Sequence, residues 1–197
     1  MNDVKPIFLD GKITYTGAEL RPHWIFERTR RFGSAIVAFR GPFEVATSEL
    51  VDLEDKSAGD FIRAREMLHF LGEFFGETLE LTIARQRLFT AVVGDAIRAQ
   101  LAPEQAARIL REGDDLYWIA PEKSDPKRKL SVSIVTATPV STLLHFGLNI
   151  DATGAPVAAA GLLDLGLDAT RLVEEIFHAW ETELESQRIA RCKVIPR

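Results

Sequence analysis

The sequence predicts an α+β fold, a mixed and mainly antiparallel sheet with helices packed over it. Three observations carry this. Apolar runs of strand length are joined by short turn-rich loops, which favours antiparallel neighbours. Three long segments carry apolar residues at helical spacing, and after the second the periodicity changes from helical to alternating beyond Gly113.

Ile7-Phe8-Leu9 and Ile13-Thr14-Tyr15 flank Asp10-Gly11, a hairpin signal. A short helix is expected after Thr16-Gly17, with Pro22 confined to its first turn. Gly33 to Phe39 reads as a buried strand ended by Arg40-Gly41-Pro42, and Phe43 to Val51 as a second strand. Asp60 is placed to cap a helix running to Phe75, since Phe61, Ala64, Leu68, Leu71 and Phe75 recur at helical spacing. A second helix is expected over 83–101, with Phe89, Val93, Ile97 and Leu101 on one face. Pro103 opens a third, ending near Gly113.

Leu116 to Ile119 then reads as a strand and 121–128 as a charged loop. Residues 129–136 alternate, with Leu130, Val132 and Ile134 on one face and Ser131 and Ser133 on the other. Residues 141–150 form a further strand. Asp168 caps a long helix carrying Leu172, Ile176, Phe177, Trp180 and Leu184, and 189–195 is expected to be a closing strand. There is no internal repeat or long linker, and 197 residues suit a single domain over 1–197.

The composition is that of an ordinary soluble protein. A net charge of -5 argues against nucleic acid as a partner. No stretch approaches a membrane span, so no membrane association is expected, and no export signal is visible. Cys192 is the only cysteine, which excludes an intrachain disulfide and fits a cytoplasmic location. It has no flanking histidine to activate it as a nucleophile. Phosphate-loop, dinucleotide-binding and nucleophile-elbow motifs are absent.

Chemistry concentrates in three short signatures: Asp114-Asp115-Leu116, Lys129-Leu130-Ser131-Val132-Ser133-Ile134, and Gly147-Leu148-Asn149-Ile150. A lysine opening an amphipathic strand can clamp a phosphate as a point charge. The alternative is a solvated side chain within Lys127-Arg128-Lys129. Asp114 and Asp115 can hold a hard cation or a donor, or can be turn residues. Asp52 and Glu54, in Val51-Asp52-Leu53-Glu54-Asp55, share a face if extended and offer paired carboxylates for a proton or an ion; a solvated acidic turn is the other reading.

Arg21, His23 and Trp24 can line a pocket mouth or pack the first helix. Arg28, Arg30 and Arg31 can meet an anion. His69 and Glu73, four apart on the expected helix, face the same way, but no third ligand completes a metal site and none is assigned; His69 reads instead as a hydrogen-bonded histidine near the core. His145 and His178 read as structural.

The chain as a whole resembles the family known as domain of unknown function 366. The matching stretches include Tyr15-Thr16-Gly17, Pro22-His23-Trp24, Val51-Asp52-Leu53-Glu54-Asp55, Met67-Leu68-His69-Phe70, Arg85-Gln86-Arg87-Leu88 and Lys129-Leu130-Ser131-Val132-Ser133-Ile134. More distantly, 81–185 resembles the catalytic core of biotin and lipoate protein ligases. There an Asn-Asp-Leu-like motif, a Lys-Leu followed by small residues, and Gly-x-Asn occur in this order. The first motif is Asp-Asp-Leu here; no Gly-Arg-rich adenylate loop and no N-terminal helix-turn-helix are present.

The resemblance implies a biotin/lipoate protein ligase-like core. It also implies an acyl-adenylate-forming ligase or acyltransferase-like activity on a nucleotide or small carboxylic acid, with ATP and Mg²⁺ as cofactor. Lys129 takes the electrostatic role between carboxylate and α-phosphate, with Asp115, Asp52 and Glu54 as metal or proton groups. Arg21, His23, Arg31, Asp114, Ser131, Ser133 and Asn149 are the expected ligand-binding residues. Two other readings stand beside this one: a non-catalytic small-ligand binding protein on the same fold, and an interaction protein that forms a homodimer through its amphipathic helices.

Overall fold

The structure, a computed structural model, describes residues 5–53, 57, 62–121 and 127–195. A five-stranded sheet is built from β1 (Lys5–Lys12), β2 (Ala35–Val45), β3 (Ile62–Phe74), β7 (Ser131–Ala137) and β8 (Thr142–Asp151). Their order is β1-β2-β3-β8-β7, and only the β1–β2 pair is parallel. A smaller antiparallel sheet takes β4 (Ile109–Glu112), β5 (Asp115–Ile119) and β6 (Lys127–Lys129). The helices are α1 (Trp24–Thr29), α2 (Leu79–Ala99), α3 (Pro103–Ala106), α4 (Leu162–Leu165) and α5 (Ala169–Cys192). The α+β class expected from sequence is the class observed.

Each long helix starts where a side chain satisfies an otherwise orphaned amide. Thr78 accepts from Leu81 N at the head of α2, and Asp168 accepts from Arg171 N at the head of α5. Both helices bury one stripe against the same sheet face. Phe89, Val93 and Ile97 of α2 meet Leu172, Ile176 and Trp180 of α5 over Leu68, Phe70, Phe146 and Leu148. Phe89 stands edge-on to Trp180, with ring centroids 5.2 Å apart. The opposite sheet face packs a second core, in which Tyr15, Trp24, Val37, Phe39, Phe43 and Met67 are buried.

Burial on both faces explains the largest departure from the sequence reading. The segment expected to be a helix from Asp60 to Phe75 is strand β3, and Asp60 itself lies outside the described residues. A central strand covered on both sides shows a continuous apolar run instead of alternation. Within that run, spacings of three and four arise without a helix. His69 and Glu73 still share a face, because four is also a multiple of the strand period.

Asp10-Gly11 is not a hairpin. The chain continues beside β2 in the same direction through a bulge between Phe8 and Lys12, and Tyr15 N donates to Pro42 O at 2.9 Å. The two strands expected over 33–51 are one strand, β2, shifted in register between Gly41 and Phe43. Gly41 is required there, since a Cβ would lie 1.9 Å from Ile13 O. The third helix stops at Ala106 and the chain turns into β4. The run over 129–136 divides into β6 and β7, so Leu130 joins the helix-side core while Val132 packs on the other face. The expected closing strand is absent: α5 continues through Ile189 to Cys192.

Gly41→Ala is expected to destabilise by about 3 kcal/mol or to prevent folding, because the obstruction is backbone. Gly11→Ala, strained by φ 85 but facing open space, should lose only about 1 kcal/mol. Urea unfolding of the two variants against the parent checks the order.

Candidate functional site

On the sheet face away from the long helices lies a cavity of about 290 Å³. The segment carrying Tyr15, Gly17 and Leu20, the end of β2 with the following turn to Asp52, the smaller sheet, and strands β7 and β8 enclose it. Half of its wall is apolar, including Phe43, Leu50, Val132 and Ile134. The polar groups are Glu49, Asp52, Asp114, Asp115, Lys129, Ser133, Tyr15 and His145.

The Asp114-Asp115 pair is placed by α2. The two-residue turn between β4 and β5 is pinned there: Asp114 accepts from Arg87 at 2.7 Å and from Gln86 Nε2 at 2.9 Å, and its carbonyl accepts from Thr90 Oγ1. Asp115 then opens β5 and pairs with Lys129 Nζ at 2.8 Å. The two lie diagonally across antiparallel strands, since Lys129 is in register with Tyr117. Tyr117 donates to Asp115 at 3.3 Å.

Burial pushes the Asp115 carboxyl above its ordinary range against the opposing pull of Lys129. Burial and the Asp115 charge push the Tyr117 phenol up to about 12. Tyr117 is therefore a neutral donor at physiological pH.

Lys129 is held by its backbone from three directions. Its amide donates to Ala158 O, while its carbonyl accepts from Ala160 N and from Asn149 Nδ2 at 3.2 Å. Asn149 also donates to Ala160 O at 3.1 Å. Ser131 Oγ accepts from Leu116 N and so ties β7 to the smaller sheet. Asn149 and Ser131 therefore act on the backbone and do not line the cavity. Ser133 does line it, accepting from Gln86 Nε2 and donating to His145 O.

Lys129, Asp115, Asp114, Asp52 and Ser133 thus meet in one cavity. Glu54 lies outside the described residues. Arg21, His23 and Arg31 sit elsewhere. Arg21 is exposed and paired with Glu27, and Arg31 is exposed. The His23 amide donates to the buried Glu73 carboxylate, and its ring stacks on Phe75.

Sequence reasoning placed His69 and His145 as buried structural residues, which they are, but assigned neither them nor Tyr15 to the cavity. His145 lines the cavity with its ring stacked on Tyr15 at 3.9 Å between centroids. His145 Nε2 lies 3.1 Å from His69 Nδ1, and His69 Nε2 lies 3.2 Å from Gly41 O. The available signal was two histidines at positions that face the same side of neighbouring strands; it becomes visible only once β3 is read as a strand. Burial lowers His69 to about 4 and holds His145 well below the ordinary histidine value. Among the described residues no group of three His, Cys, Asp or Glu side chains could hold a metal ion, and no helix is long and apolar enough to cross a membrane.

The architecture is that of lipoate and biotin protein ligases. A bi-partite lipoate protein ligase of Thermoplasma acidophilum is 11% identical, with a TM-score of 0.59 over 93% of this chain and 85% of that one. A biotin protein ligase of Aquifex aeolicus, in complex with biotin and ATP, is 14% identical, with a TM-score of 0.52 over 91% and 69%. At such identities the likeness establishes the fold alone.

The chain belongs to the family described as a domain of unknown function (DUF366), whose model matches residues 4–195. An uncharacterized protein of Methanocaldococcus jannaschii is 31% identical over 96% of this chain and 84% of its own. A protein of unknown function from Pyrococcus horikoshi is 31% identical, with a TM-score of 0.86 over 98% and 99%.

Because both histidines are neutral when folded, the unfolded chain binds more protons between about pH 6.5 and 4, and stability falls as pH falls through that window. His69 alone should lower stability by about 2 kcal/mol between pH 7 and pH 5. Urea midpoints at the two pH values check this, and the His69→Gln/His145→Gln double variant should flatten the difference. A separate expectation concerns Asn149→Ala, which takes the side-chain donor from the buried Ala160 carbonyl and leaves the Lys129 carbonyl with the Ala160 amide alone; it should cost about 1–3 kcal/mol by the same assay.

Proposed function

We infer that this cavity binds a small carboxylic acid and that the protein is an acyl-adenylate-forming ligase or acyltransferase-like enzyme. The observation that supports this reading is the Lys129–Asp115 ion pair on the wall of a half-apolar cavity. Lys129 already holds a carboxylate there, supplied by the protein. A ligand carboxylate makes the same charge-assisted contact by displacing Asp115, whose carboxyl burial already biases toward the neutral form. The apolar wall from Phe43 to Val132 and Ile134 suits the hydrocarbon body of such an acid. In the adenylating step, an ammonium between carboxylate and α-phosphate offsets the repulsion of two anions brought together.

A nucleotide brings more negative charge to a wall where one lysine faces Glu49, Asp52, Asp114 and Asp115. This donor set suits Mg²⁺ arriving with the phosphates, because that ion commonly takes one or two protein carboxylates and completes its shell from phosphate and water. Asp115 and Asp52 are the residues that would meet it. Mg²⁺ would neutralise phosphate charge. The same acidic excess also favours a second reading, a binding protein that takes the acid alone and carries out no adenylation.

Thermal unfolding with octanoate, lipoate or biotin, each with and without Mg-ATP, separates the two readings. A native-state ligand at 100 times its dissociation constant should raise the midpoint by about 5 °C or more. Lys129→Ala should abolish the rise from the acid. Acid-dependent release of pyrophosphate from ATP identifies the ligase, and a midpoint rise without it identifies the binding protein. If no acid shifts the midpoint, the carboxylate reading is wrong.

A further inference from the structure

We propose that His145 is a specificity-determining residue of this cavity, presenting a bare ring nitrogen, Nδ1, that accepts a hydrogen bond from a ligand hydroxyl or N–H. The inference rests on the reading of the cavity as a ligand site and adds the chemistry of the ligand's second polar group.

The argument is one of donors and acceptors. Gly41 O can only accept, so His69 Nε2, 3.2 Å away, carries a proton. His69 is buried and stacked against Phe39 and Tyr15, where the charged form is disfavoured, so it is neutral and its Nδ1 is a lone pair. His145 Nε2, 3.1 Å from that lone pair, must then be the donor. The tautomer of His145 follows: Nε2 is protonated and Nδ1 is not. A carbonyl on β2 thus determines, through one intervening ring, which nitrogen of His145 is left to accept.

The ring that results is 2% exposed, lines the cavity and has Tyr15 stacked on it at 9°. Its Nε2 is committed to His69, and no described residue donates to Nδ1. A ligand that fills the cavity removes this nitrogen from solvent, so one that supplies a donor gains relative to one that does not. The same burial makes the pair a poor base. Protonating Nδ1 would place a buried cation among Tyr15, Phe43 and His69, whereas accepting a hydrogen bond transfers no charge. His145 is therefore suited to recognition, with the proton remaining on the ligand. The preferred ligand has a carboxylate for Lys129, an apolar body, and a neutral hydroxyl or amide N–H for His145.

The test uses the full chain with ¹⁵N-labelled histidine. Two-bond ¹H–¹⁵N spectra of the free protein should show His145 protonated at Nε2 and bare at Nδ1. Butanoate, hexanoate and octanoate are then titrated, each with and without a terminal hydroxyl. The expected result is a shift of the Nδ1 resonance with at least one hydroxy acid, which binds about fivefold more tightly than its parent acid. His145→Phe retains an aromatic stack and should lose that preference, so that each hydroxy acid binds no more tightly than its parent acid. A proton on Nδ1 in the free protein overturns the inference and leaves the carboxylate reading intact. So does Lys129-dependent binding of the acids with no preference for any hydroxyl. If no acid of either series binds, the carboxylate reading fails and this inference with it.

Discussion

The structure turns on a fork at Leu130. One extended run of sequence serves two sheets there, and Leu130 is bonded to both: its amide donates to Leu116 O in the smaller sheet, and its carbonyl accepts from Asn149 N in the larger. The residue before it is held by Ala158 and Ala160, with the Asn149 side chain bridging the carbonyls of Lys129 and Ala160. These bonds orient the smaller sheet so that Lys129 and Asp115 face the cavity walled by the larger one. Were the run to continue straight, Lys129 would extend β7, and the cavity would lack its lysine and one of its carboxylates.

Much of the fold was legible because two signals are local. Asp168 caps α5, the apolar stripes of α2 and α5 repeat faithfully, and Leu116 to Ile119 is bounded by clear turn chemistry; the Thr78 cap, lying before the expected start of α2, was not read. What was illegible depended on tertiary covering. β3 carries Leu68 and Phe70 to one core and Met67 and Leu71 to the other, so from Met67 onward its residues show no alternation to read. Asp10-Gly11 has the composition of a hairpin turn, yet the strand it interrupts pairs parallel with β2 through a bulge. Nothing local distinguishes the two outcomes.

The site divides in the same way. The order of Asp115, Lys129 and Asn149 along the chain identified three residues that the fold does bring together, although Asn149 contacts backbone and not cavity. Asp52 reaches the cavity from a segment far away in sequence. The pairing of His69 with His145 escaped notice because it requires knowing that β3 and β8 are neighbours, a long-range fact with no sequence signature. Arg21, His23 and Arg31 were singled out by residue type alone; all three are exposed, Arg21 pairs with Glu27, and the His23 amide donates to the distant Glu73.

The placement of β8 carries a consequence for assembly. In the β3–β8 ladder, His69 meets Gly147 across all of α2 and the smaller sheet, so the chain must close its longest excursion between paired strands before these two can join. Closure entropy on that scale is spent before the contact returns anything. The two imidazoles lie on opposite sides of that seam, and Lys129 is anchored to the later strand through Asn149. The cavity is therefore a property of the completed molecule: Lys129, Asp115 and His145 come from the C-terminal half, while the facing wall of Tyr15, Phe43 and Leu50 comes from the N-terminal half and meets them only once this seam has closed.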